Sequence, residues 1–191
     1  MENDGFVHLS AGDLLRAEMA SGSEQAELIS KIIAEGKIVP TVITCGLIKK
    51  AMENCGWASC KFLIDGYPRN AENNDGWNEV IGESVNLAGV LSFEVEEETL
   101  IQRIMARSAS SGRSDDNIDT LRRRLEQYRT EQLPIIEIYR AQGKVMAING
   151  LQDIEVVYSD IKQAMAGLVW TKKCVPGAQY FLFYDHFFQQ I

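Results

Sequence analysis

A chain of 191 residues that is 46% hydrophobic and 24% charged has the composition of a globular domain with a real core, which excludes disordered, collagenous and disulfide-dense classes. Its formal net charge of −8 opposes non-specific binding to a nucleic acid polymer or an anionic membrane, both of which need a cationic field. The cysteines Cys45, Cys55, Cys60 and Cys174 form no C-x-x-C pair, and neither His8 nor His186 stands beside one, which argues against a metal held directly by the protein.

In chain order, a short apolar run at 6–9 reads as a strand. Ser10 with Asp13 three residues on resembles a helix capping box before Leu14-Leu15. Leu28, Ile32 and Ile33 recur at helical spacing until Gly36 stops the pattern. A helix over 41–54, a strand over 62–64, a helix over 73–81, a strand over 90–95 and a helix over 96–106 follow. The helical pattern over 118–141 contains Pro134, which predicts a break into two helices. A strand over 145–148 and a helix over 152–166 complete the series, and strands alternating with helices predict an α/β parallel sheet. From Gly167 the character changes to an aromatic-rich tail containing Tyr180-Phe-Leu-Phe-Tyr184.

No apolar stretch reaches the roughly eighteen residues a membrane span needs. The amino-terminal Met1-Glu-Asn-Asp-Gly5 has neither the basic start nor the apolar run of a signal peptide. The expectation is a cytoplasmic monomer with reduced thiols, the nucleus being a second compartment open to it.

Against the acidic background, Arg103, Arg107, Arg113, Arg122, Arg123, Arg124 and Arg129 crowd into one stretch. A basic pocket in an acidic protein suits a small anionic ligand better than a polymer. The planar arginine fork binds two phosphate oxygens at once and stays protonated. Arg103 and Arg107 lie four apart, on one helical face, where like charges repel unless an anion bridges them. The run Lys61-Phe-Leu-Ile-Asp65-Gly66-Tyr67-Pro68-Arg69 places an acid, a turn and an arginine at the carboxyl end of a strand, where α/β sheets put ligands. Taken alone, each of these has an ordinary explanation: a capped helix, a plain strand and turn, or a solvated charged face.

Together, the segments His8-Leu-Ser-Ala-Gly-Asp-Leu-Leu-Arg16, Glu35-Gly-Lys-Ile-Val-Pro40, Phe62-Leu-Ile-Asp-Gly-Tyr-Pro-Arg-Asn70, Ser111-Gly-Arg-Ser-Asp-Asp-Asn117 and Leu121-Arg-Arg-Arg-Leu125 resemble, in order and separation, the signatures of short-lid nucleoside monophosphate kinases of the adenylate kinase family. The resemblance implies a P-loop NTPase-like parallel sheet flanked by helices. It divides the chain into a kinase domain over 5–166, with an acceptor-binding insert at 11–39 and a short lid at 108–117, and a divergent hydrophobic tail at 167–191. It implies that Arg16 and Arg69 grip the acceptor monophosphate, with Ala11, Gly12, Gly66 and Asn70 around them, and that Lys37, Ile38 and Val39 border the acceptor base. By the same resemblance Arg103 lies on the adenine of ATP and Gln152 meets it by backbone carbonyl. Arg107 binds phosphate, and Arg113 and Arg124 close on the transferred group while Asp116 orients the lid arginine. Asp65 stands near the waters of the magnesium that accompanies ATP.

Ala11 and Asn73 stand where adenylate kinases typically have Thr and Gln, and with Arg69-Asn70 and Gly76-Trp77 they resemble the UMP/CMP kinases of the family. The resemblance therefore implies CMP or UMP as acceptor, with AMP as the alternative substrate and Asn73 offering donor and acceptor to a pyrimidine edge. Equally, Asn70 and Asn73 read as helix-starting residues.

The sequence departs from the family in one respect. It contains no G-x-x-x-x-G-K, since no two of its glycines stand five apart, so the first strand, the ATP-cradling loop and the first helix of the family pattern are missing. Because that strand is central in the family, between the strands near Phe62 and Val90, its absence predicts a gap of about 10 Å, two strand spacings, and a chain of marginal stability. Three readings compete: an incomplete sequence of an ordinary kinase, which the unusual tail favours; a non-catalytic form that binds a nucleotide or a partner; and a sheet in which Tyr180–Tyr184 fills the central place. Against the third stands the crowding that large aromatics cause between helix layers.

Overall fold

The computed structural model describes residues 5–56, 60–111, 117–166 and 178–184. Five strands, β1 (Phe6–Ser10), β2 (Lys61–Asp65), β3 (Val85–Glu94), β4 (Val145–Asn149) and β5 (Ala178–Tyr184), form one sheet in the order β1-β2-β5-β3-β4. Every neighbouring pair is parallel. The helices are α1 (Ala11–Ala20), α2 (Ala26–Ala34), α3 (Thr41–Asn54), α4 (Ala71–Val80), α5 (Glu97–Ser111), α6 (Ile118–Gln127), α7 (Leu133–Ala141) and α8 (Ile154–Ala166).

The expected gap beside β2 does not exist. β5 lies between β2 and β3, with Ile64 and Val90 both in register with Leu182. The strand pairing therefore matches the third reading of the tail. The physical reason is that a run apolar at every position has no solvent side, and a central parallel place, covered on both faces, is where such a run is stable. A register shift between Leu87 and Gly89 adjusts β3 to its new neighbour.

Alternation along the strands sorts the core into two layers. Phe62 and Ile64 of β2 join Val90 of β3 in a cluster with Cys45, Ile48, Met52, Trp77, Ile81, Ile135 and Ile136 from α3, α4 and α7 and the loop after α4. Leu63, Leu91 and Phe93 point the other way and pack with Ile148, Val157 and Ile161, so α8 covers the opposite face. Two small clusters stand apart. Leu100, Ile104, Leu121 and Leu125 join α5 to α6, and Leu15, Ile29 and Val39 give the segment from α1 to the turn before α3 its own core.

The helical stretch containing Pro134 divides, as expected, into two α-helices, α6 and α7, with Pro134 in the first turn of α7. A π turn over Tyr128–Gln132 joins them, and the Leu133 N–H reaches back to the Tyr128 carbonyl. Proline lacks the N–H that an α-helix interior needs, and the first turn of a helix tolerates that loss.

Helices α3 and α4 meet at Gly76, where a Cβ would stand 2.2 Å from Thr41 Cγ2. Alanine there gains about 1 kcal/mol of helix propensity, but it must push aside Thr41, a buried residue whose Oγ1 accepts from the Asn73 amide at 2.8 Å. Overpacking costs about 1–3 kcal/mol and a buried polar group left unpaired about as much again. Gly76→Ala is therefore expected to lower stability by about 1–5 kcal/mol net, read from the denaturant midpoint at unchanged m-value.

Candidate active site

The first grouping arises from the β1–β2 register, which puts Ser10 opposite Asp65 and so sets the start of α1 beside the turn after β2. Ser10 caps α1 by accepting the Asp13 N–H at 3.3 Å, which places Ala11 in the buried first turn. Arg16 lies over Gly12, since a Cβ at Gly12 would come within 3.2 Å of Arg16 Nη1, and it forms an ion pair with Asp13. Across the seam, Gly66 turns at φ +70, a conformation favouring glycine, and a Cβ there would meet Arg69 Nη2 at 3.1 Å. Arg69 Nε donates to the Gly66 carbonyl at 2.8 Å. Two guanidinium groups are thus folded back onto two glycines at neighbouring strand ends.

Asn70 caps α4, its Oδ1 accepting from the Asn73 N–H at 2.9 Å. Asn73 is 2% exposed. Its Oδ1 accepts the Arg69 N–H at 3.2 Å and its Nδ2 donates to Thr41 Oγ1, while its own carbonyl accepts the Tyr67 hydroxyl at 2.9 Å. Burial pushes the Tyr67 phenol far above its ordinary range, with the neighbouring Cys45 adding to the shift, so it remains a neutral donor. Tyr67 and Thr41 thus orient Asn73 and Arg69, a role sequence reasoning missed. The Thr41 contact spans 32 positions and leaves no local trace.

Asp65, 4% exposed, ends β2. His8 Nε2 stands 3.8 Å from its Oδ2. The Asp65 carboxylate beside it raises the His8 pKa above its ordinary 6.5, aided by the Asp13 charge and opposed by burial. A proton therefore binds His8 more tightly in the folded state, a stabilisation present below pH 6.5 and lost as pH rises through the raised pKa. With the imidazole 54% exposed, solvent keeps the effect small. The expected result is that the stability difference between the parent chain and His8→Gln shrinks between pH 6 and pH 8, as followed by thermal unfolding.

The second grouping forms at the far strands. Arg103 Nη2 on α5 donates to the Gly150 carbonyl at 2.9 Å, which sets it beside the turn carrying the exposed Gln152. Arg107 shares α5, and Arg124 is half-buried on α6, the helix packed against α5. Lys37 is exposed and pairs with Glu35 at 2.7 Å. That pairing, with Lys31 and Arg123 helping, holds the Glu35 carboxyl below its usual range. Ile38 is half-buried and Val39 buried in the small core with Leu15 and Ile29. Arg113 and Asp116 lie outside the described residues, with the rest of 112–116 in the expected lid.

Among the described residues no cluster of three His, Cys, Asp or Glu could hold a metal ion. Asp65, the one buried carboxylate among the described residues, would suit a magnesium ion that arrives with a nucleotide and keeps its own waters, as hard, reluctantly dehydrated ions do.

A parallel sheet flanked by helices, with arginines on the elements that follow its strands, belongs to the doubly flanked α/β class, whose ligands bind beyond the carboxyl ends of the strands. The family model described as adenylate kinase matches residues 1–144. Among the relatives are UMP-CMP kinase of Danio rerio, 44% identical over 86% of this chain and 86% of that protein; UMP-CMP kinase 3 of Arabidopsis thaliana, 44% identical over 85% and 77%; and UMP-CMP kinase of Homo sapiens, 42% identical over 85% of each. The chain belongs to the adenylate kinase family. No helix among the described residues is long and apolar enough to cross a membrane.

Proposed function

We propose that the chain is a nucleoside monophosphate kinase that carries the γ-phosphoryl of MgATP to the phosphate of CMP or UMP, releasing ADP and CDP or UDP. Family membership makes it a phosphotransferase, and relatives named UMP-CMP kinase at 42–44% identity support the pyrimidine acceptor. The observation that supports the reading is the Ser10–Asp65 register, which brings the start of the helix carrying Arg16 beside the turn carrying Arg69; in this reading the two arginines clamp one phosphate. In this reading Asn73 reads the base, and Lys37 to Val39 form its wall. Arg103 and the Gln152 carbonyl receive adenine. Arg107, Arg113 and Arg124 neutralise the charge that spreads over the transferred group, and Asp65 orders the magnesium waters. Such positioning and charge neutralisation supply most of the catalysis in phosphoryl transfer.

The 191-residue sequence holds no G-x-x-x-x-G-K, and losing even one phosphate-binding charge costs on the order of 10³ to 10⁵ in rate. Turnover by this chain is therefore proposed to be impaired by at least that factor, and the alternative, a non-catalytic binder of nucleoside monophosphates, uses the same clamp. In this reading the protein works in the cytoplasm, as a monomer. ADP release from MgATP with CMP, UMP or AMP, measured beside calorimetric titration of each monophosphate, separates the readings. Turnover with CMP or UMP supports the kinase. CMP binding without turnover selects the binder, and absence of both rejects the acceptor site.

A further inference from the structure

Arg123 is exposed on α6, and from there its side chain reaches across to the acceptor segment. Gly36 turns at φ +69, and a Cβ built there would stand 3.1 Å from Arg123 Nε, 3.8 Å from Arg123 Cβ and 3.3 Å from Thr120 Cγ2. The guanidinium is aimed by its own helix, Nη2 donating to Thr120 Oγ1 at 3.2 Å. Thr120 is 1% exposed and cannot move freely. Glu35, at the same turn, feels the attraction of Arg123 in addition to its pairing with Lys37. The turn thus touches α6 where it lacks a side chain of its own, and the residues that follow, Lys37 to Val39, run directly into the small core of Leu15, Ile29 and Val39.

Resting on the acceptor reading above, we propose that Arg123 is a positioning and specificity-determining residue: by clasping the Gly36 turn against α6 it fixes the width of the base pocket walled by Lys37, Ile38 and Val39. The helix that carries Arg124 toward the transferred phosphate therefore also holds the acceptor wall. A wall held at one distance favours the smaller pyrimidine over adenine, because a purine needs the turn to move outward and break the clasp. Releasing the clasp lets both bases fit.

Calorimetric titration of the full chain with CMP and with AMP tests this. Arg123→Ala is expected to weaken CMP by about five- to tenfold, the range of a modest coupling, and to weaken AMP less or not at all, so that CMP/AMP discrimination falls. Arg123→Lys keeps the attraction to Glu35 and is expected to recover part of it. Gly36→Asn is a second, independent perturbation: asparagine tolerates the left-handed backbone, and its side chain displaces the guanidinium, so discrimination is expected to fall again. Equal weakening of both nucleotides with a lowered melting temperature means a merely structural role and overturns the inference, as does unchanged discrimination in both variants. If the parent chain binds neither nucleotide, the acceptor reading itself fails and the clasp has no pocket to govern.

Discussion

A chain ending at Ala166 is expected to lose its cooperative unfolding transition. Strand order makes β5 the sole bridge among the described strands between the β1–β2 pair and the β3–β4 pair. Removing it strips the inner edges of β2 and β3 and parts the two sheet halves over which the layer of α3, α4 and α7 is spread. Total stability of a domain is only about 5–15 kcal/mol, and losing both ladders that join the two halves of the sheet exceeds that reserve. A gentler version is Leu182→Pro, since Leu182 is in register with both Ile64 and Val90. Proline has no N–H for either neighbour and does not sit in a central strand. It leaves one buried carbonyl orphaned, for a loss of at least about 2 kcal/mol. Chemical denaturation with hydrogen exchange over 178–184 provides the readout. A truncated chain with the same midpoint and m-value, or fast exchange of 178–184 in the folded protein, would sink the central placement.

This placement also shows what each kind of sequence signal carried. The run Tyr180–Tyr184 has no local signal for its distant neighbours; the place between the strands near Phe62 and Val90 came from the family resemblance, and the crowding of large aromatics counted against it. Elements set by local periodicity fared differently. Helix α3 occupies 41–54, as its pattern predicts, and β2 and β4 exceed the predicted runs by one residue at one or both ends. β3 begins at Val85, well before the predicted residue 90, because pairing with β5 draws in the mixed stretch Val85-Asn-Leu-Ala-Gly89, which has no strand pattern of its own.

At the site, the same division holds. The caps made by Ser10 and Asn70 are local and legible, and so are the two arginine turns. The partners of Asn73 and the reach of Arg123 to Gly36 depend on which helix packs on which, and a charge run alone cannot tell which of its exposed members meets a distant turn.

Arg69→Ala is expected to weaken CMP binding by about a hundredfold while leaving cytidine binding unchanged. A hydrogen bond to a charged group is worth about 1.5–3 kcal/mol, and a fork that engages two phosphate oxygens doubles the contact. Each 1.4 kcal/mol is a factor of ten in affinity, so a loss near a hundredfold is the cautious end of the range. The fork is already aimed before any ligand arrives, since Nε is fixed to the Gly66 carbonyl at 2.8 Å and Gly66 offers no Cβ to displace Nη2. Little ordering entropy remains to be lost on binding. Two graded variants follow. Arg69→Lys keeps a point charge without the fork and should recover only part of the affinity. Gly66→Ala keeps the arginine but pushes its guanidinium aside and strains the φ +70 turn, so it should fall between the parent and Arg69→Ala. Cytidine separates grip on the phosphate from damage to the pocket, because it presents the base without the anion. If CMP and cytidine weaken together, Arg69 supports the turn rather than holding phosphate, and the clamp at the β1–β2 seam loses one of its two jaws.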